Sequence, residues 1–132
     1  MRRPVVRFEG VHCAIEIRRL TDRVTVLVIS GRDAGELGDA PFRELAHDLE
    51  VGELELFVDA RDTIGVHLDV SGQWAAWLQK HQLRFRRIHM LTGSRFVQLT
   101  AEFVRRFAEL GDRMLIYTEP TAFETARSLA CA

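Results

Sequence analysis

The chain has 132 residues, 18 basic against 19 acidic, so its formal net charge of −1 excludes a global field that would draw it to nucleic acid or an anionic membrane. That length suits one domain able to bury a core without disulfides or a structural metal, and Cys13 and Cys131 are too few and too far apart for either, so both are read as reduced thiols. No run reaches the roughly 18 apolar residues of a membrane span, and the basic N-terminal stretch has no continuous apolar run behind it; a soluble cytoplasmic protein is expected.

Residues 1–10 form either a loose arm or an extra edge strand. "CAIEIRRL" (13–20) alternates apolar and polar residues, and a turn at 21–22 leads into the β-branched "VTVLVIS" (24–30), which reads as a hairpin. A helix is predicted over 39–50: Asp39 is placed to cap it, Pro41 suits the first turn, Phe42, Leu45, Ala46 and Leu49 share a face, and Gly52 ends it. "LELFVDA" (54–60) is a buried central strand, followed by a long polar connection, "DARDTIGVHLDVSG" (59–72). A second helix over 69–81 carries Val70, Trp74, Trp77 and Leu78 on one stripe. Strand 86–92 follows, then a long helix over 94–110 that starts at Ser94 and stops at Gly111, then strand 113–118. The last helix spans 120–130, where Thr121 and Glu124 have capping-box spacing.

The order β-β-α-β-α-β-α-β-α implies right-handed crossovers and a mostly parallel five-stranded sheet covered by four helices, in a single α/β domain over 1–132. Ligands of open α/β sheets gather at the carboxyl ends of the strands, so the connection at 59–72 is the candidate site.

Four readings of that connection compete. Ser71 with His67 and Asp69 is composed like a nucleophilic triad, but three members within five residues seldom reach the required geometry, and "DVSGQ" is not a G-x-S-x-G elbow. His67 and Asp69 are two possible metal ligands; a site needs Asp59 or Asp62 as well. Ser71 near a helix N-terminus is well placed to carry phosphate. The plainest reading makes Asp69 a cap and Ser71 a first-turn residue. No catalytic set, metal or cofactor is expected; an enzyme would need Asp59, Asp62, His67 and Asp69 to converge in a cleft. His12, His47, His81 and His89 show no ligand spacing and are expected to be satisfied or exposed.

The order of elements over about residues 13–130 resembles the STAS domain, the fold of bacterial anti-sigma factor antagonists. In that family a strand ending in aspartate leads to D-S-[ST]-G, whose first serine is phosphorylated by a partner kinase. The stretch "LFVDARDTIGVHLDVSG" matches with Asp59 as the strand aspartate and Asp69, Val70, Ser71 and Gly72 as the motif. Val70 stands at the acceptor position and has no hydroxyl, and the loop is about two residues longer than the family's. The stretch from "RFRRIHMLTG" to "TARSLA" is similar to the divergent SpoIIAA-like branch, which resembles the CRAL-TRIO lipid-binding fold.

The resemblance implies a non-enzymatic regulatory domain with a protein partner, an anti-sigma factor or kinase-like, or self-association as a homodimer. The alternative is a small apolar ligand or lipid held between sheet and helices. A phosphorylated variant would use Ser71 or Thr63. The long helix, with Phe103 and Phe107, carries apolar residues on more of its circumference than one sheet contact requires, and Trp74 and Trp77 raise the same question; these four are the candidate interface. Arg84, Arg86 and Arg87 around Phe85 read as a solvated strand start, so neither nucleic acid nor membrane insertion is expected.

Overall fold

The computed structural model describes residues 3–132, which form one six-stranded sheet ordered β1-β2-β3-β4-β5-β6. The strands are β1 (Val5–Glu9), β2 (Cys13–Thr21), β3 (Val24–Asp33), β4 (Leu54–Val66), β5 (Phe85–Thr92) and β6 (Met114–Tyr117). β1-β2 and β2-β3 pair antiparallel, and β3 through β6 run parallel. The sheet is therefore mixed and has six strands, where five mostly parallel strands were expected. The added strand is β1, an edge strand drawn from the stretch read as an arm or edge. Its pleat explains it: Val6 and Phe8 face Ile17 and Ile15, while Arg7 opposes Glu16 on the solvent side.

Four helices complete the fold: α1 (Ala40–Leu49), α2 (Leu68–Lys80), α3 (Arg95–Phe107) and α4 (Pro120–Ala130). Alternation along the strands sends one set of side chains to each face. Ile15, Ile17, Leu27, Leu54, Leu56, Val58 and Ile88 pack with Leu45 and Leu49 of α1, Ala75 and Leu78 of α2, and Ala101 and Val104 of α3. Val24, Val26, Phe57 and Leu91 face the other way and pack with Phe123 of α4. The side chain of Arg19, on β2, is buried and reaches α1, with Nε 2.8 Å from Asp48 Oδ1 and Nη2 3.2 Å from Glu44 Oε1.

Two caps differ from expectation because of the local backbone: Asp39 has φ −94° and ψ 5° rather than an extended cap conformation, and α4 starts before Thr121, which is therefore inside the helix. Asp39 sits at the α1 N-cap but makes no capping bond; its carboxylate pairs with Arg43 at 3.3 Å. α4 begins at Pro120 behind Glu119, with no side-chain cap, and Glu124 pairs instead with Arg61. Ser94 does cap α3, accepting from Val97 N at 3.2 Å.

The largest departure concerns 61–66, read as loop. Here β4 continues along an extension of β3, with Ser30 beside Asp62, Gly31 beside Thr63 and Asp33 beside Val66. Two register shifts, between Val28 and Ser30 and between Gly31 and Arg32, give β4 extra residues and bend it. β5 stops pairing at Ala60, so this two-stranded extension projects beyond the rest of the sheet. A Cβ at Gly93 would overlap the carbonyl oxygen of Arg61, so glycine allows β5 to turn away against the strand. Only His67 separates β4 from α2.

Candidate functional site

The carboxyl ends of β3, β4 and β5 and the N-termini of α2 and α3 share one rim of the molecule. At the β4–α2 junction His67 is the N-cap: its Nδ1 accepts from Asp69 N at 3.3 Å. The cap expected of Asp69 thus belongs to His67, because the helix begins one residue earlier, at Leu68. Asp69 is exposed in the first turn, where its negative charge suits the helix dipole.

Both hydroxyls at the junction are enclosed. Ser71 is 3% exposed and its Oγ donates to Leu68 O at 2.8 Å. Thr63 is 5% exposed and donates to Ile29 O at 3.0 Å. Val70 is buried against the loop at Gly35. Gly72 faces open space, since a Cβ there would meet nothing.

Asp59 lies on the opposite face of the sheet from α2, where it holds Arg61 Nε at 3.0 Å, and Arg61 in turn holds Glu124 of α4 at 3.1 Å. Asp59 and Asp69 are therefore not brought together. Among the described residues no group of three His, Cys, Asp or Glu side chains could hold a metal ion. Trp74 and Trp77 fill the seam between α1 and α2: Phe42 lies 4.5 Å from Trp74 edge-on and 5.5 Å from Trp77 in a stack.

Apolar side chains stand exposed around this junction. Ile64 is 67% and Leu68 71% exposed, the first next to Thr63 in β4 and the second at the start of α2, ahead of Ser71. Neither was singled out from the sequence; the signal was there in the alternation of Thr63 and Gly65 inward with Asp62 and Ile64 outward, once 61–66 is read as strand. Phe103 and Phe107, 5.5 Å apart, are exposed on α3 together with Phe96 and Leu99.

Between the sheet and α2 and α3 lies a cavity of about 60 Å³ with apolar walls including Val58, Leu78, Met90 and Val104; Asp33 and Ser71 also border it. That holds a few waters, against the few hundred Å³ of a ligand pocket. Asp33 is buried, accepts from Gly35 N at 3.1 Å, and burial raises its carboxyl pKa, with Glu36 adding to the rise. At the far end of the sheet a polar cleft of about 550 Å³ is bordered by Arg23, Glu53, Glu55 and Arg86. Near it, on the α4 face, His89 bonds Glu55 Oε2 through Nε2 at 2.6 Å and Tyr117 Oη through Nδ1 at 2.8 Å. Burial lowers its pKa against the pull of Glu55, so the ring is neutral near pH 7, donating to Glu55 and accepting from Tyr117. It is a satisfied histidine. Two basic side chains near β5 are likewise tied: Arg84 donates to Leu49 O and Arg113 to Gln82 O, each at 2.6 Å.

No family model and no curated protein matches the chain. Solved structures do. An uncharacterised protein of the DUF3478 family with a SpoIIAA-like fold, from Shewanella loihica, superposes over 90% of this chain and 97% of its own with TM-score 0.61 at 16% identity. The anti-sigma factor antagonist SpoIIAA in its unphosphorylated form covers 86% of this chain and 96% of its own, with TM-score 0.60 at 15% identity. The chain has the SpoIIAA-like, STAS-type fold. No helix among the described residues is long and apolar enough to cross a membrane.

Proposed function

We propose, from the SpoIIAA-like fold, that this chain is a non-enzymatic regulatory domain that works by docking a protein partner at the β4–α2 junction, without a phosphoserine switch. One observation carries the reading: a single junction holds two buried, hydrogen-bonded hydroxyls, Ser71 and Thr63, together with two exposed apolar side chains, Ile64 and Leu68. A kinase needs an accessible hydroxyl, and a docking surface needs exposed apolar anchors with water-excluding neighbours. The junction offers the second and withholds the first. Val70 at the position matching the family's acceptor agrees with this. The partner is of the anti-sigma factor or kinase-like class, since SpoIIAA is an anti-sigma factor antagonist, and the setting is cytoplasmic. A bound lipid is disfavoured, because about 60 Å³ of internal space cannot hold one.

Affinity capture from the native host with the wild-type chain and with Ile64→Asp and Leu68→Asp tests the reading. Both positions are exposed, so the variants fold. A partner recovered by wild type and lost with both substitutions is the expected result; equal recovery with all three chains contradicts it.

A further inference from the structure

α3 keeps one face in its own core and leaves another unpartnered. Val97, Ala101 and Val104 are buried, whereas Phe96, Leu99, Phe103 and Phe107 are 67, 49, 38 and 57% exposed. Thr100 shares the small cavity with Ser71, Trp74 and Leu78 of α2, so the exposed stripe adjoins the groove between the two helices. The spacing of Phe96, Leu99 and Phe103 is that of successive a, d and a positions, and Arg95 and Glu102 fall on two successive g positions beside them.

We infer that this stripe is a homodimer interface in which α3 packs antiparallel on α3 of a second copy about a two-fold axis near Leu99. Charge selects both occupant and direction. In an antiparallel pair g faces g, so Arg95 meets the partner's Glu102 and Glu102 meets the partner's Arg95. In a parallel pair g faces e, where Thr100 and Phe107 offer no charge. In such a pair a packs on d, so the axis that pairs the charges sets Phe96 against the partner's Leu99 and Leu99 against the partner's Phe96, as an isologous contact requires. Within its own copy Arg95 has no ion pair among the described residues, and Glu102 makes only a 3.5 Å contact with Gln98. At about 200 Å² per phenylalanine side chain, the four residues expose about 400 Å² per copy. With their polar flanks, two copies bury on the order of 1,000–1,200 Å², the low end of specific interfaces, so the dimer is concentration-dependent with Kd on the order of 1–100 µM.

Sedimentation equilibrium of the full chain up to about 500 µM, above that range, provides the test. Wild type is expected to dimerise. Phe103→Glu, at an exposed position, raises Kd about a hundredfold. Arg95→Glu and Glu102→Arg each raise it about tenfold, and the double exchange restores it. A monomer throughout, a dimer indifferent to Phe103→Glu, or a charge exchange that fails to rescue each overturns the pairing. The docking of another protein at Ile64 and Leu68 is a separate matter, and a monomer leaves it standing.

Discussion

Ser71→Asp separates an enclosed hydroxyl from a usable one by the sign of its effect. In the first turn of an accessible helix, an added carboxylate interacts favourably with the helix dipole, by about 0.3–1 kcal/mol. Here the side chain is 3% exposed and borders the same small cavity as the buried Asp33. Its hydroxyl donates to Leu68 O at 2.8 Å, and a carboxylate cannot donate, so two acceptors would face one another. An uncompensated buried charge costs about 3–5 kcal/mol. After the dipole's contribution, the net loss is about 2–4 kcal/mol. For a chain of this length about 1 kcal/mol corresponds to about 4 °C in Tm, so Tm should fall by about 8–15 °C near neutral pH. The buried carboxyl has a raised pKa in the folded state, so the deficit relative to wild type is full above that pKa and shrinks as pH falls below it. Ser71→Ala, which removes one neutral hydrogen bond, should cost no more than about 1 kcal/mol. Thermal unfolding followed by circular dichroism across pH measures all three. An unchanged or raised Tm for Ser71→Asp would refute the enclosure, because the site would then accept a phosphate's charge.

Arg19→Met removes the guanidinium beside the buried Asp48 carboxylate, 2.8 Å away, and should cost about 3–5 kcal/mol by urea denaturation; a loss under about 1 kcal/mol would show that the pair contributes little. His89 should titrate below its ordinary 6.5, because burial outweighs Glu55. Its contribution to stability is therefore complete above 6.5 and is lost as pH falls through the lower folded value; an imidazole NMR titration with its midpoint above 6.5 contradicts this. Gly93→Ala forces a methyl group onto the Arg61 carbonyl and should cost about 1–3 kcal/mol in thermal unfolding, with no loss expected if the strands can part.

The four helices lie within about three residues of their sequence boundaries because their core contacts recur at helical period, as with Val97, Ala101 and Val104. β1 was readable only as an alternative, since five residues with two charges carry little periodic signal. The extension of β4 was hidden by Arg61 and Asp62, whose polarity marks a loop when no neighbour is known; the partner that makes them strand is β3, thirty residues earlier. Capping failed at α4 because the helix starts at Pro120, which leaves Thr121 inside the first turn and frees Glu124 to pair with Arg61. Phe103 and Phe107 stood out because the helix has more apolar faces than one sheet can cover, and they are exposed. Trp74 and Trp77 gave the same signal, yet they pack on Phe42, a contact that local spacing does not contain.

The phosphorylation state in the native host tests the central claim most directly. Intact mass and site mapping of the chain, isolated with phosphatase inhibitors across growth conditions, should give the unmodified mass throughout. A population heavier by one phosphoryl group, mapped to Ser71 or Thr63, would contradict the account.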